Sequence, residues 1–133
     1  MNSVMDRVEK LLEGRKWSST RLGDTTVRTS FRVGGGATVP LVITFEKTWV
    51  KLAVIPLGRL PAEATRAEQL YKSLLEWNGE IRMARFSLDE DGDVLLSAEI
   101  PTGEATDSLL SDALDSLAYY ADRHASEIKS LLN

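Results

Sequence analysis

Cysteine is absent from the 133 residues, so disulfides, thiolate metal sites and cysteine nucleophiles are excluded, and a reducing cytoplasm is the expected location. Histidine occurs once, as His124, which leaves a serine nucleophile a single imidazole to choose from; no G-x-S-x-G elbow is present to use it. No run approaches the ~20 apolar residues of a membrane span. The start, MNSVMDRVEKLLEG, is broken by charges every few residues, so neither a signal peptide nor an anchor is expected there. Positive charge is not in excess either. The net charge of −4 argues against nucleic acid as a partner, because neutralising phosphates requires a basic surface.

What remains is an ordinary globular composition, 43% apolar and 27% charged, without internal repeats or low-complexity runs. The length corresponds to about one domain, so residues 1–133 are expected to form a single unit. Its charge is unevenly spread: residues 1–60 hold ten Lys/Arg against five Asp/Glu, and 61–133 hold six against fifteen. Two solvated faces, or a dipolar surface that orients a partner, would each follow from that asymmetry.

Ser3 and Asp6 have the spacing of a capping box, and Val4, Val8, Leu11 and Leu12 then follow a helical stripe that Gly14 is expected to end. The period next changes to two. Val27, Thr29, Phe31 and Val33 share one strand face, while Arg28, Ser30 and Arg32 share the other. Gly34 to Gly36 make a turn, Val39, Leu41, Ile43 and Phe45 mark a second strand, and WVKLAVIPL reads as a third, more buried one. KWSSTRL adds a fourth candidate. A second helix is expected at about 62–77, with Pro61 at its first turn and Asn78-Gly79 as its stop. Ala84, Phe86 and Leu88, then Val94, Leu96, Ala98 and Ile100, form a hairpin closed by Pro101. From about Asp107, a long helix carries Leu110, Ala113 or Leu114, Leu117, Ala121, Ala125, Ile128 and Leu131 on its apolar stripe. The expected fold is α+β, a two-layer sandwich of three helices on an antiparallel sheet of five to six strands, in the order α-β-β-β-(β)-α-β-β-α.

RFSLDEDGDVLLSAEIP, residues 85–101, crowds Asp89, Glu90, Asp91 and Asp93 around Gly92. With Gly92 set at the sixth position of a calcium loop, Ser87 falls first and Ala98 twelfth, where a bidentate glutamate is required; Glu99 comes one residue late. The flanks alternate as strands do, and Asp-Gly between them signals a tight hairpin. Exposed carboxylates there also lack any burial that would tune them for acid–base work. VGGGAT at 33–38 lacks the lysine and hydroxyl residue of a phosphate loop and is followed by a strand rather than a helix. His124 reads as a core-edge residue. Arg28 and Arg32, with Arg21 nearby, could hold an anion, although a solvated sheet face is the simpler reading. Of the three tryptophans, Trp17, Trp49 and Trp77, at least one is a candidate for an interface.

From Leu70 to Leu131 the chain resembles the YbjN family and the related class I type III secretion chaperones of the CesT and Tir-chaperone kind. The residues that carry the likeness are LLEWN at a helix end, the hairpin with Phe86, Leu88, Asp89, Gly92, Val94, Ile100 and Pro101, and the closing helix, with Asn78 in place. The resemblance implies a small acidic cytosolic bacterial protein, usually a homodimer, that binds another polypeptide, needs no cofactor or metal and catalyses nothing. By element it places a dimer interface at Leu74, Leu75, Trp77, Ile81 and Met83. Partner contact is expected at Arg28, Arg32 and Trp49, on the sheet. The competing expectation is a regulatory domain that senses a small anion beside Arg28 and Arg32; neither reading involves a membrane.

Overall fold

A computed structural model describes residues 3–132. In chain order it has α1 (Val4–Gly14), β1 (Thr20–Leu22), β2 (Thr26–Arg32), β3 (Thr38–Phe45), β4 (Trp49–Arg59), α2 (Ala64–Asn78), β5 (Arg85–Leu88), β6 (Asp93–Pro101), a short 3-10 turn (Thr102–Glu104) and α3 (Asp107–Leu132). All strands lie in one six-stranded antiparallel sheet in the order β1-β2-β3-β4-β6-β5. The expected α+β sandwich and its element order are therefore present, with KWSSTRL contributing the short β1.

Alternation decides which face each strand buries. Thr29, Leu41, Val54, Leu96 and Phe86 form one row across five strands, and all but Thr29 belong to the hydrophobic cluster shared with the helices. Thr29 is buried too; its hydroxyl donates to the Ser18 carbonyl at 2.7 Å, which removes the penalty of an unpaired polar group. The neighbouring row, Arg28, Val42, Ala53, Ser97 and Arg85, looks away from the helices. WVKLAVIPL is central because β4 has β3 on one side and β6 on the other, and its register shifts between Val54 and Gly58. At that irregularity the chain passes beneath the end of α3: a Cβ on Gly58 would lie 2.2 Å from Leu132 Cδ1 and 3.1 Å from Ile128 Cγ2.

α1 ends at Gly14 as expected, and the left-handed residue that closes it lies two positions on, Lys16 at φ 63°. Around it the Trp17 amide donates to Leu12 O (3.0 Å) and the Lys16 amide to Glu13 O (2.9 Å), the paired bonds of a Schellman motif. At the other helix, Pro61 lies outside α2. The Glu63 carboxylate caps it instead, accepting from the amides of Thr65 and Arg66 at 3.0 Å each, and these bonds hold its pKa below the usual carboxylate value. Ser3 and Asp6 do form the capping box. The uneven charge is partly closed internally, since Arg7 of α1 and Arg15 just after it pair with Asp107 and Asp115 of α3.

Candidate functional site

Surfaces on which this sheet could receive another chain are its two edges, its open face and the α2–β5 flank. Each is built by a different local rule. At the β5 edge, Asn78, the last residue of α2, turns its side chain onto the strand: the Phe86 N–H donates to Asn78 Oδ1 (2.7 Å) and Asn78 Nδ2 donates to Phe86 O (3.0 Å). The sequence marks Asn78 as a helix stop; the structure adds this second task, which no local pattern signals. Trp77 beside it is buried, with its ring 5.5 Å from Phe86 and 4.2 Å from His124.

His124 lies deeper than the core edge expected of it. At 4% exposure it stands on the buried stripe of α3 between Ala121 and Ile128, a position that shifts Ala125 to half-buried, and its Nδ1 has no hydrogen-bond partner among the described residues. Desolvation lowers its pKa below 6.5, with Arg123 acting in the same direction and Glu127 and Glu80 opposing. It is a core residue, not one aimed at solvent.

The opposite edge, β1, is exposed along all three residues. Among the described residues, no side chain and no turn or loop amide bonds to the backbone of Thr20, Arg21 or Leu22 outside the strand pairing. Leu22 is 50% exposed. Arg21 is drawn to α1 by Glu9 and Asp6, the latter at 2.6 Å; these bonds raise its pKa, and the Arg21 bond is the largest of those that lower that of Asp6.

Arg28, Arg32 and Trp49 all lie on the open face but not together. Arg32 is opposite Thr38 at one end of the sheet, Arg28 lies midway, and Trp49 is opposite Pro101 at the other end. Arg32 joins Lys16, Trp17, Ser30, Phe31 and Thr38 around a groove of about 390 Å³, where Trp17 stacks on Phe31 with ring centroids 4.9 Å apart. Lys16, Arg28 and Arg32 have no carboxylate within ion-pair distance among the described residues.

The α2–β5 flank separates the five residues assigned to a dimer contact. Leu74 and Trp77 are packed into the core and present almost no surface, because α2 turns this face onto β5 and α3. Leu75 is 72% exposed, Met83 is exposed beside Ser116 of α3, and Ile81 is half-buried. Tyr71, Leu75 and Leu88 line a shallow apolar groove of about 250 Å³. Tyr71 is exposed as well, a position that helical spacing alone does not single out.

The acidic turn makes no site. Asp89 Oδ1 accepts from the amides of Asp91 and Asp93, both at 2.9 Å, and Gly92 adopts φ 80°, so the cluster is a capped hairpin turn. Among the described residues no group of three or more His, Cys, Asp or Glu is placed to hold a metal ion, and no helix is long and apolar enough to cross a membrane.

One antiparallel sheet backed by three helices, with β1 at an open edge, defines a two-layer α+β fold. Solved structures share it. A chain of the ExoU–SpcU complex from the type III secretion system of Pseudomonas aeruginosa superposes with a TM-score of 0.62 at 20% identity, covering 94% of this chain and 97% of that one. For a chain of the ExsC–ExsE complex the values are 0.61, 18%, 96% and 97%. For the complex of the Yersinia pestis type III secretion chaperone SycH with a fragment of YscM2 they are 0.54, 17%, 90% and 97%. At these identities the likeness establishes the fold. The family is established separately: residues 5–130 match the model of YbjN, described as "Putative bacterial sensory transduction regulator", and the chain belongs to that family. No curated protein matches it in sequence.

Proposed function

We propose that this protein is a non-catalytic, cytoplasmic binding module that holds an extended segment of a partner polypeptide at the β1 edge of its sheet. The observation that carries this reading is the open edge itself: all three residues of β1 are exposed, Arg21 turns its backbone N–H and C=O to the outer side, and Leu22 offers an apolar contact. An added strand would gain main-chain hydrogen bonds there at no cost in refolding the sheet. Solved structures of like fold support it, since ExoU–SpcU is a heterodimeric complex of a secretion system and SycH is a secretion chaperone in complex with a fragment of another polypeptide. The test is capture from the native host by wild type and by Leu22→Lys, which places a charge on the edge. A partner retained by wild type and lost with Leu22→Lys, but still bound by the flank variant Leu75→Glu, is the expected result; retention by Leu22→Lys counts against the edge.

The dimer belongs to the same reading, at the α2–β5 flank, with Leu75, Tyr71 and Leu88 in contact rather than Leu74 and Trp77. Light scattering is expected to give twice the chain mass for wild type and a single chain for Leu75→Glu. A single-chain mass for wild type at high micromolar concentration would remove the dimer. A second reading is favoured by the unpaired cations around Trp17. Lys16 and Arg32 would there hold a small anion in a sensory regulator, and a melting temperature raised by phosphate or a nucleotide, and not by chloride at equal ionic strength, would support it.

A further inference from the structure

β5 is four residues long and pairs only with β6, so its far side is a sheet edge. In an antiparallel ladder alternate residues direct both backbone groups to the same side. Since Phe86 gives its N–H and C=O to Asn78, Phe86 and Leu88 are the outward pair, and Arg85 and Ser87 face β6. A primary amide offers an acceptor and a donor in one plane, as a peptide unit does, so the Asn78 side chain substitutes for one residue of a neighbouring strand. It cannot swing aside cheaply, because Trp77 anchors that end of α2 against Phe86 and His124. Before β5 the chain turns sharply, with Met83 at φ 68° and the Ala84 amide bonded to Arg82 O; after it the Asp89 turn begins. Of the two outward residues of β5, Leu88 alone keeps its backbone groups free.

We propose that Asn78 is a specificity-determining edge guard, which closes the β5 edge and confines strand addition, by a partner or by a second copy, to β1. Contact between copies across the α2–β5 flank then runs through side chains and not through a continuous sheet. This deepens the polypeptide-binding reading, but its test uses the protein alone, so either can fail without the other. In wild type, the Phe86 amide should exchange with solvent at least about tenfold more slowly than that of Leu88, although both lie on the same edge; equal rates would overturn the proposal. Asn78→Ala should associate with concentration, at least doubling the wild-type mass by light scattering and gaining β signal, whereas Asn78→Asp, which keeps an acceptor and adds an edge charge, should not. A folded Asn78→Ala variant with wild-type mass and wild-type Phe86 exchange would likewise overturn it. If Asn78→Ala does not fold, the wild-type exchange rates decide alone.

Discussion

At the scale of single residues, two positions sit in environments that a different side chain would tolerate better. Lys16 occupies the left-handed position after α1, where a side chain costs about 1 kcal/mol relative to glycine. Lys16→Gly should raise the unfolding free energy by about that amount in urea titrations. If the lysine serves the groove beside Arg32, the same variant should weaken phosphate binding while it stabilises the fold. His124 is buried in the neutral form, so its folded pKa lies below the unfolded value of 6.5. Between those two values the unfolded chain binds more protons. Stability is therefore expected to fall as pH drops through 6.5 towards the folded pKa, and to level off below it. His124→Phe should flatten that segment of a melting-temperature profile taken between pH 8 and pH 5. Neither residue was readable as such: Gly14 two positions earlier is the better local candidate for a helix end, and a lone histidine beside an apolar stripe does not reveal what will enclose it.

Elements were mostly legible, because the two hydrophobic periods are local. The stripes of α1 and α3, the alternation of β2, β3, β5 and β6, and the Asp89–Gly92 turn all follow from spacing. The start of α2 did not, since Pro61 suits a first turn but Glu63 supplies the carboxylate that satisfies the amides of Thr65 and Arg66. Trp77 shows how far α2 depends on tertiary packing. Trp77→Ala removes the ring packed against His124 and Phe86 and should cost about 3–5 kcal/mol by chemical denaturation. Gly58 is a milder case, since the group in the way is the flexible end of Leu132. Gly58→Ala should mainly speed amide exchange in the last turn of α3, with a global loss of about 1 kcal/mol.

For the whole molecule, the decisive property is which strands end up at the margins. A chain with six amphipathic strands could close its sheet in several orders. Here α2 carries the chain from β4 to the far edge and β6 returns between them, so the hairpin forms one margin and the short β1 the other. The lack of cysteine, the single histidine, the acidic balance, the α+β class and the resemblance to the YbjN family were determined by the sequence alone, because composition and period need no partner residues. Which of the five flank residues reach solvent, how Arg32 and Trp49 come to lie at opposite ends of the open face, and how one asparagine closes an edge were decided only by the tertiary structure. Each depends on strand order and on contacts between elements, and a local pattern carries no record of either.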